Sequence, residues 1–335
     1  ACDGLKNQRL DIPYFKNKNK FEKISWKEVY SKIFDKISKT PSEKISGFTG
    51  DMTNMESLFA IKEFFEKTIK SKNLDSRSEN YYVNSSNRSN YIFNSKIIGI
   101  EETDLIILVG TNPRFEATIL NSRIRKAFLN SNINIFSIGD VGELTYPYEV
   151  LENSTKVINE IVNNKHKLSD LIKNSKKPMI ILGQSLLKMK SASYVFEELK
   201  KYLLINNKIN DDWNALNVLS NNASTVGSYD LEILSSKNGE NEALNKIKKN
   251  EFDVIFLFGQ ENLKFKKKNE FIIYVGSHGD RGAEIADIIL PSAAYTEQEG
   301  YFTNLEGKTQ KAYSASYPPG EAKEDWQIIN ELAAS

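Results

Sequence analysis

Cysteine is almost missing from this chain. Among 335 residues there is one, Cys2, and there are only two histidines, His166 and His278. One cysteine excludes a disulfide framework, a cysteine-built zinc cage and a cysteine-ligated iron–sulfur cluster within the sequence. Net charge is also missing. Forty-five Lys and Arg against 44 Asp and Glu leave +1, which argues against a dedicated nucleic-acid binder. No apolar run approaches the ~20 residues of a bilayer span, and no signal-peptide-like segment is visible. G-x-G-x-x-G, G-x-x-x-x-G-K-[ST], H-E-x-x-H and G-x-S-x-G are all absent. Cys2 has no local base beside it, so nucleophilic chemistry has no anchor there.

What remains suits a packed α/β body: 40% hydrophobic and 27% charged residues, at a length that fits two lobes. Apolar runs at 104–110, 178–183, 252–259 and 271–276 each end in Gly, with shorter ones at 133–139 and 287–291. Runs without alternation suit strands buried on both faces of a parallel sheet. Helix-period stretches lie between them, at 25–39, 54–70, 115–129, 151–163, 192–204, 241–249 and 324–333. Ser25 followed by Glu28 forms a capping box for the first. Alternation of this kind predicts βαβ units. The polar stretch around 165–177 marks a boundary, giving lobes at 1–170 and 171–335. The Ser/Asn/Tyr-rich stretch 75–96 reads as a long surface loop, and 206–242 as a similar irregular segment.

Two places concentrate candidate chemistry. Gly110, Thr111, Asn112 and Pro113 follow a buried strand and open a helix, which is where an anion would sit. The plainer reading is an ordinary βα turn. Residues 274–310 gather His278, Asp280, Arg281, Glu284, Asp287, Glu297, Glu299 and Glu306. Acid–base or metal chemistry would draw on such groups, but no ligand spacing is present, and capping or solvated charges explain them as well. The Lys-rich segments 16–20 and 264–268 read as solvated loops or as a basic patch for a phosphate or an acidic partner. Tyr81, Tyr82, Tyr91 and Phe93 either anchor a partner or pin their loop to the body.

Three stretches carry a family resemblance: CDGLKNQRL with FEKISWKEVYSKI, GTNPRFEATILNSRIRKA, and ADIILPSAAYTEQEGYFTNLEGKTQ. They resemble the body domains of molybdopterin oxidoreductases. Within that group, with DDWNALNVL and EDWQIINELA, they are most similar to the large iron–sulfur subunits of respiratory complex I, NADH:ubiquinone oxidoreductase. The resemblance spans nearly the whole chain and only the C-terminal part of such a subunit. It implies an α/β fold of two doubly wound, Rossmann-like lobes. It also implies a structural role in the complex I peripheral arm, against a cluster-bearing domain on a separate chain or outside this sequence. Iron–sulfur clusters and FMN are then expected in partner subunits, with no cofactor, metal or catalytic residue in this chain. Gly110, Asn112, Arg114 and Asp280 would line a vestigial cleft. The implied location is the matrix side of the mitochondrial inner membrane or the cytoplasmic face of a bacterial one. The competing implication is a divergent molybdopterin-dependent oxidoreductase fragment with its own cofactor, in which Asn112, Arg114 and Asp280 bind the pterin.

Overall fold

The computed structural model describes residues 3–18, 20–131 and 133–335. Cys2 lies outside them. The strands that matter here are β1 (Tyr14–Asn17), β2 (Lys20–Lys23), β3 (Ile45–Thr49) and β4 (Leu74–Asp75). Then come β5 (Leu105–Val109), β6 (Asn134–Ile138), β7 (Glu149–Leu151), β8 (Pro178–Leu182) and β9 (Leu216–Val218). β10 (Val254–Phe258), β11 (Phe271–Gly276) and β12 (Ile288–Pro291) complete them. They form a seven-stranded sheet, β2-β1-β12-β11-β10-β3-β4, and a five-stranded sheet, β9-β8-β5-β6-β7. The smaller sheet is parallel throughout, and the larger is parallel from β12 to β4, with β1 and β2 added antiparallel at one edge.

The apolar runs became the central strands because both of their faces are covered. Every residue of β5, β8 and β10 is buried. The expected capping box forms: Ser25 accepts from the Glu28 N–H while Glu28 reaches back to Ser25, starting the helix Trp26–Ser38.

The lobes do not divide at 170/171. The first sheet takes β3 from the N-terminal third and β10 to β12 from the C-terminal third, and the second is built wholly between them. β5 pairs with β8 across the expected boundary. The polar stretch there is the helix Lys167–Asn174, capped by His166 Nδ1 accepting from the Leu168 N–H, with Leu168 and Ile172 buried one turn apart.

The strand β3, second from one edge of its sheet, carries no clear sequence signal, because Ser46, Gly47 and Thr49 dilute its apolar character. Gly47 is there for room: a Cβ would lie 2.5 Å from the ring of Phe65. That ring packs edge-on against Phe256 and Phe258 of β10, at 5.8 and 6.2 Å between centroids. The helix over 54–70 ends in a π-helical stretch, Phe64–Ile69, which turns Phe64 and Phe65 inward together.

The stretch 75–96 is no surface loop. Tyr81, Tyr82, Tyr91 and Phe93 are buried, so they pin the segment to the body. Its anchor is an ion pair with no solvent exposure on either side chain, Arg77 to Asp75 at 2.8 Å. Arg77 also donates to the carbonyls of Tyr81 and Gly239, and Asp75 accepts from the Ser235 N–H and hydroxyl. The outgoing and returning crossings between the sheets are therefore tied at one point. Residues 206–242 are likewise packed, contributing β9 and the buried Trp213. In the Lys-rich 16–20 stretch, Lys16 lies in β1 and Lys20 opens β2, while Asn19 lies outside the described residues. In 264–268, Lys264, Lys266 and Lys268 are exposed, as expected of a solvated loop, and Lys267 bonds Asp287.

Removing one member of a buried pair strands the other charge, at ~3–5 kcal/mol. Arg77→Met and Asp75→Asn should each destabilise by about that much in denaturant unfolding. The double variant should cost less than the sum by ~1–3 kcal/mol.

Candidate functional site

Parallel sheets bind ligands outside the carboxyl ends of their strands, where the strand order reverses. This chain has two such points. In the second sheet the reversal lies between β5 and β8, and the Gly110–Asn112–Arg114 loop leaves β5 there.

That crevice is filled by the protein itself. Gly110 has φ +62°, and a Cβ on it would lie 2.5 Å from the Leu186 nitrogen; one on Gly183 would lie 2.4 Å from the Gly110 carbonyl oxygen and from Thr111 Cβ. Asn112 caps the short helix Pro113–Glu116, accepting from the N–H groups of Arg114 and Phe115, and its amide donates to the Val141 carbonyl at 2.6 Å. Glu116 folds back, accepting from the Asn112 N–H at 2.8 Å and the Thr111 hydroxyl at 3.1 Å. The donors that would greet an anion already hold one, the chain's own carboxylate. Arg114 is ion-paired with Glu143.

In the first sheet the reversal lies between β3 and β10. The strands nearly touch as they end: Gly50 donates to the Phe258 carbonyl at 2.7 Å, and a Cβ on Gly50 would meet the Gly259 oxygen at 2.0 Å. Beyond them opens a cleft of about 350 Å³. Asp51 lies past β3, Glu261 and Asn262 past β10, Ser277 and His278 past β11, and Ser292 past β12. Asp325, the first residue of the helix Asp325–Ala334, closes the side.

Its charges are unbalanced. Asp51, Glu261 and Asp325 line the cleft, and no Lys or Arg does. Arg9, behind Ser277, is bound through both terminal nitrogens to Glu297. Burial raises Asp51, against hydrogen bonding from Asn262. Partial burial, then the facing Asp280, raises Glu261 above the ordinary carboxylate range; its partly exposed side chain lets water screen that repulsion. Tyr274 donates toward both, at 3.1 Å to Asp280 and 3.4 Å to Glu261. Burial pushes Asp325 up to about 7, against the neighbouring Ser292 hydroxyl. Asp325 Oδ1 and His278 Nε2 are buried with no hydrogen-bond partner, while His278 Nδ1 lies 2.9 Å from the Ser277 hydroxyl oxygen.

The four sequence candidates therefore do not form one site. Gly110, Asn112 and Arg114 belong to the filled crevice. Asp280 belongs to the other sheet, where it caps the short helix Arg281–Ile285 and holds Tyr274. Within 274–310 most charges are structural. Glu297 is held below the ordinary range although burial opposes this, because Arg9 and the Ala294 N–H bind it. Glu306 accepts from the Ile97 N–H, Glu299 pairs with Lys311, and Asp287 accepts from Lys267 and the Ile272 N–H. Glu284 is exposed. Sequence reasoning missed Asp51, Glu261 and Asp325, which sit in separate segments with no shared motif. The one available signal was their position just after a buried strand or at a helix start. Among the described residues, no group of three or more His, Cys, Asp and Glu is placed to hold a metal ion.

The raised Asp325 has a signed consequence. Its folded value near 7 lies above the ordinary 3.8, so its contribution is complete below about pH 4 and is lost as pH rises through 7. Asp325→Asn should match the parent at pH 4 and become more stable than it by pH 8, by up to about 4 kcal/mol. Paired thermal melts across that range check this.

The molybdopterin oxidoreductase family model matches residues 9–335. The chain is 39% identical over 334 residues to a subunit of the NADH-quinone oxidoreductase of Rickettsia bellii (strain RML369-C), covering 99% of this chain and 48% of that protein. It is 37% identical over 346 residues to the NADH-ubiquinone oxidoreductase 75 kDa subunit of Reclinomonas americana, covering 99% and 50%. The chain thus spans about half the length of the curated relatives it matches. Among solved structures, acetylene hydratase from Pelobacter acetylenicus aligns with a TM-score of 0.63 at 12% identity, over 99% of this chain and 62% of that one. A chain of the formyltransferase/hydrolase complex of Methylorubrum extorquens aligns at 0.67 and 11%, over 96% and 98%. Those two likenesses concern the fold alone. With the family match running over almost its full length, the chain belongs to the molybdopterin oxidoreductase family.

Proposed function

We propose that this chain is a scaffold in the peripheral arm of NADH:ubiquinone oxidoreductase. It packs against the cluster-bearing domain that passes electrons from NADH towards ubiquinone and carries no redox centre itself. The observation that carries this reading is the similarity, along 99% of the chain, to NADH-quinone and NADH-ubiquinone oxidoreductase subunits of Rickettsia bellii and Reclinomonas americana. Iron–sulfur clusters and FMN then belong to partner subunits. The arm faces the matrix side of the mitochondrial inner membrane or a bacterial cytoplasm. Among the described residues no helix is long and apolar enough to cross a membrane, in keeping with attachment through partners.

The family name implies a pterin cofactor, and the residues here do not fit one. A pterin phosphate is an anion. At one reversal point Glu116 already occupies the anion donors, and at the other the lining is carboxylate without Lys or Arg. This favours the scaffold over a divergent molybdopterin enzyme.

A scaffold works by rigidity. Electron tunnelling falls steeply with distance, so a partner's clusters need a close-packed flank to keep their spacing. The strands of both sheets supply such packing. Phe115, in the short helix Pro113–Glu116, and Ile119, in the helix Thr118–Ser131 that follows, are exposed and offer apolar surface to a neighbour.

Leu290 is fully buried in β12. Leu290→Asp should unfold the first sheet and deplete the assembled arm on native gels. Arg114→Ala, which removes a surface ion pair, should leave both assembly and NADH oxidation near normal. Normal assembly with loss of turnover in Arg114→Ala would overturn the scaffold reading.

A further inference from the structure

The cleft past β3, β10, β11 and β12 has a property that scaffolding does not use. Three carboxylates line it, Asp51, Glu261 and Asp325, with no Lys or Arg among the lining residues and with His278 as the one imidazole there. Two cations in adjoining segments are engaged elsewhere: Arg9 with Glu297, and Lys323 with Glu331. Asp51 is satisfied by the amides of Asn222 and Asn262, at 2.7 and 2.8 Å. Asp325 is not. It is only 8% exposed, and its Oδ1 has no partner. Buried carboxylate oxygens are ordinarily hydrogen-bonded, so an orphan one bordering a cleft points to a missing donor.

We propose that this cleft binds an organic cation, a primary ammonium or guanidinium group on an aliphatic stem. A lining of carboxylates without Lys or Arg disfavours anions. The carboxylates are spread around the cleft rather than gathered into a metal's coordination shell, in keeping with the lack of a metal-binding group among the described residues. An N–H donor supplies what Asp325 Oδ1 lacks, as a charge-assisted hydrogen bond. Leu5, Met52, Ala293 and Ala294 give the stem an apolar wall. The volume, about 350 Å³, lies within the range of small-ligand sites. Two sources share this chemistry: a free amine, and a Lys or Arg side chain inserted by a partner subunit. The inference does not depend on which assembly the chain joins.

Ser292 and Glu324, the neighbour in sequence, act on Asp325, and the titratable groups His278 and Glu261 line the same cleft with Asp51. Ionisation of Asp325 strengthens its hold on a cation, so binding tightens as pH rises from 6 to 8.

The test is calorimetric titration of the full chain with agmatine and with spermidine, against sodium chloride at matched ionic strength. Saturable binding of either amine is expected, with at least about tenfold weaker affinity in Asp325→Asn and in Glu261→Gln. Asp325→Asn is nearly isosteric and removes a buried charge, so it keeps the fold; a cooperative melt verifies this. No binding beyond the salt control, or equal binding in the folded Asp325→Asn variant, overturns the proposal. The same titration on the assembled complex separates the sources. Retained binding identifies a free amine, and binding lost on assembly but present in the isolated chain identifies a partner's side chain.

Discussion

The Asp75–Arg77 ion pair is the constraint on which the two-sheet arrangement rests. The chain leaves the first sheet at β4, builds the whole second sheet, and returns at β10. Such an excursion leaves two crossings, and each must satisfy its backbone groups away from water. Arg77 does this for both, holding the Tyr81 carbonyl on the outgoing crossing and the Gly239 carbonyl on the returning one. Asp75 fixes Arg77 and also the Ser235 backbone. Buried pairs of this kind add little net stability over an apolar substitute. Their effect here is to specify where the crossings meet.

The two reversal points stand in contrast. Both are where a doubly wound sheet would take a ligand, and the chain treats them oppositely. In the second sheet, Gly110, Gly183 and Leu186 close the space and Glu116 takes the anion donors. In the first, the strand ends stay close, and Asp51 after β3, Glu261 after β10 and Asp325 at the start of the last helix surround a cleft beyond them. A sheet pair with one sealed crevice and one acidic crevice is poorly suited to a phosphate-bearing cofactor.

Much of the fold is legible in the sequence. Fully buried strands have no alternation to hide, so LIILV, PMIIL and VIFLF stand out, and the Ser25–Glu28 box marks its helix. The misreadings share a physical cause. β3 looks weak because Gly47 makes way for Phe65, a reason that lies in another element. Residues 75–96 look solvated because their polar groups bond one another and the returning crossing rather than water. The division near 170 fails because polarity between helices does not report which strands pair. The filled loop at Gly110 is visible in the sequence, but its occupant is not, since Glu116 acts only after the helix folds it back. The open cleft is half visible through His278 in 274–310. Its acidic wall comes from residues 51, 261 and 325, which only the fold assembles.

The central claim is that these sheets serve as rigid packing without a pterin centre of their own. The most direct measurement is the composition of the native chain after affinity isolation from its source membranes, by mass spectrometry with metal and pterin analysis. The account predicts flavin- and cluster-bearing subunits in fixed stoichiometry with the chain, and no molybdenum, tungsten or pterin assigned to it. A free polypeptide carrying stoichiometric molybdenum or tungsten and pterin would contradict it.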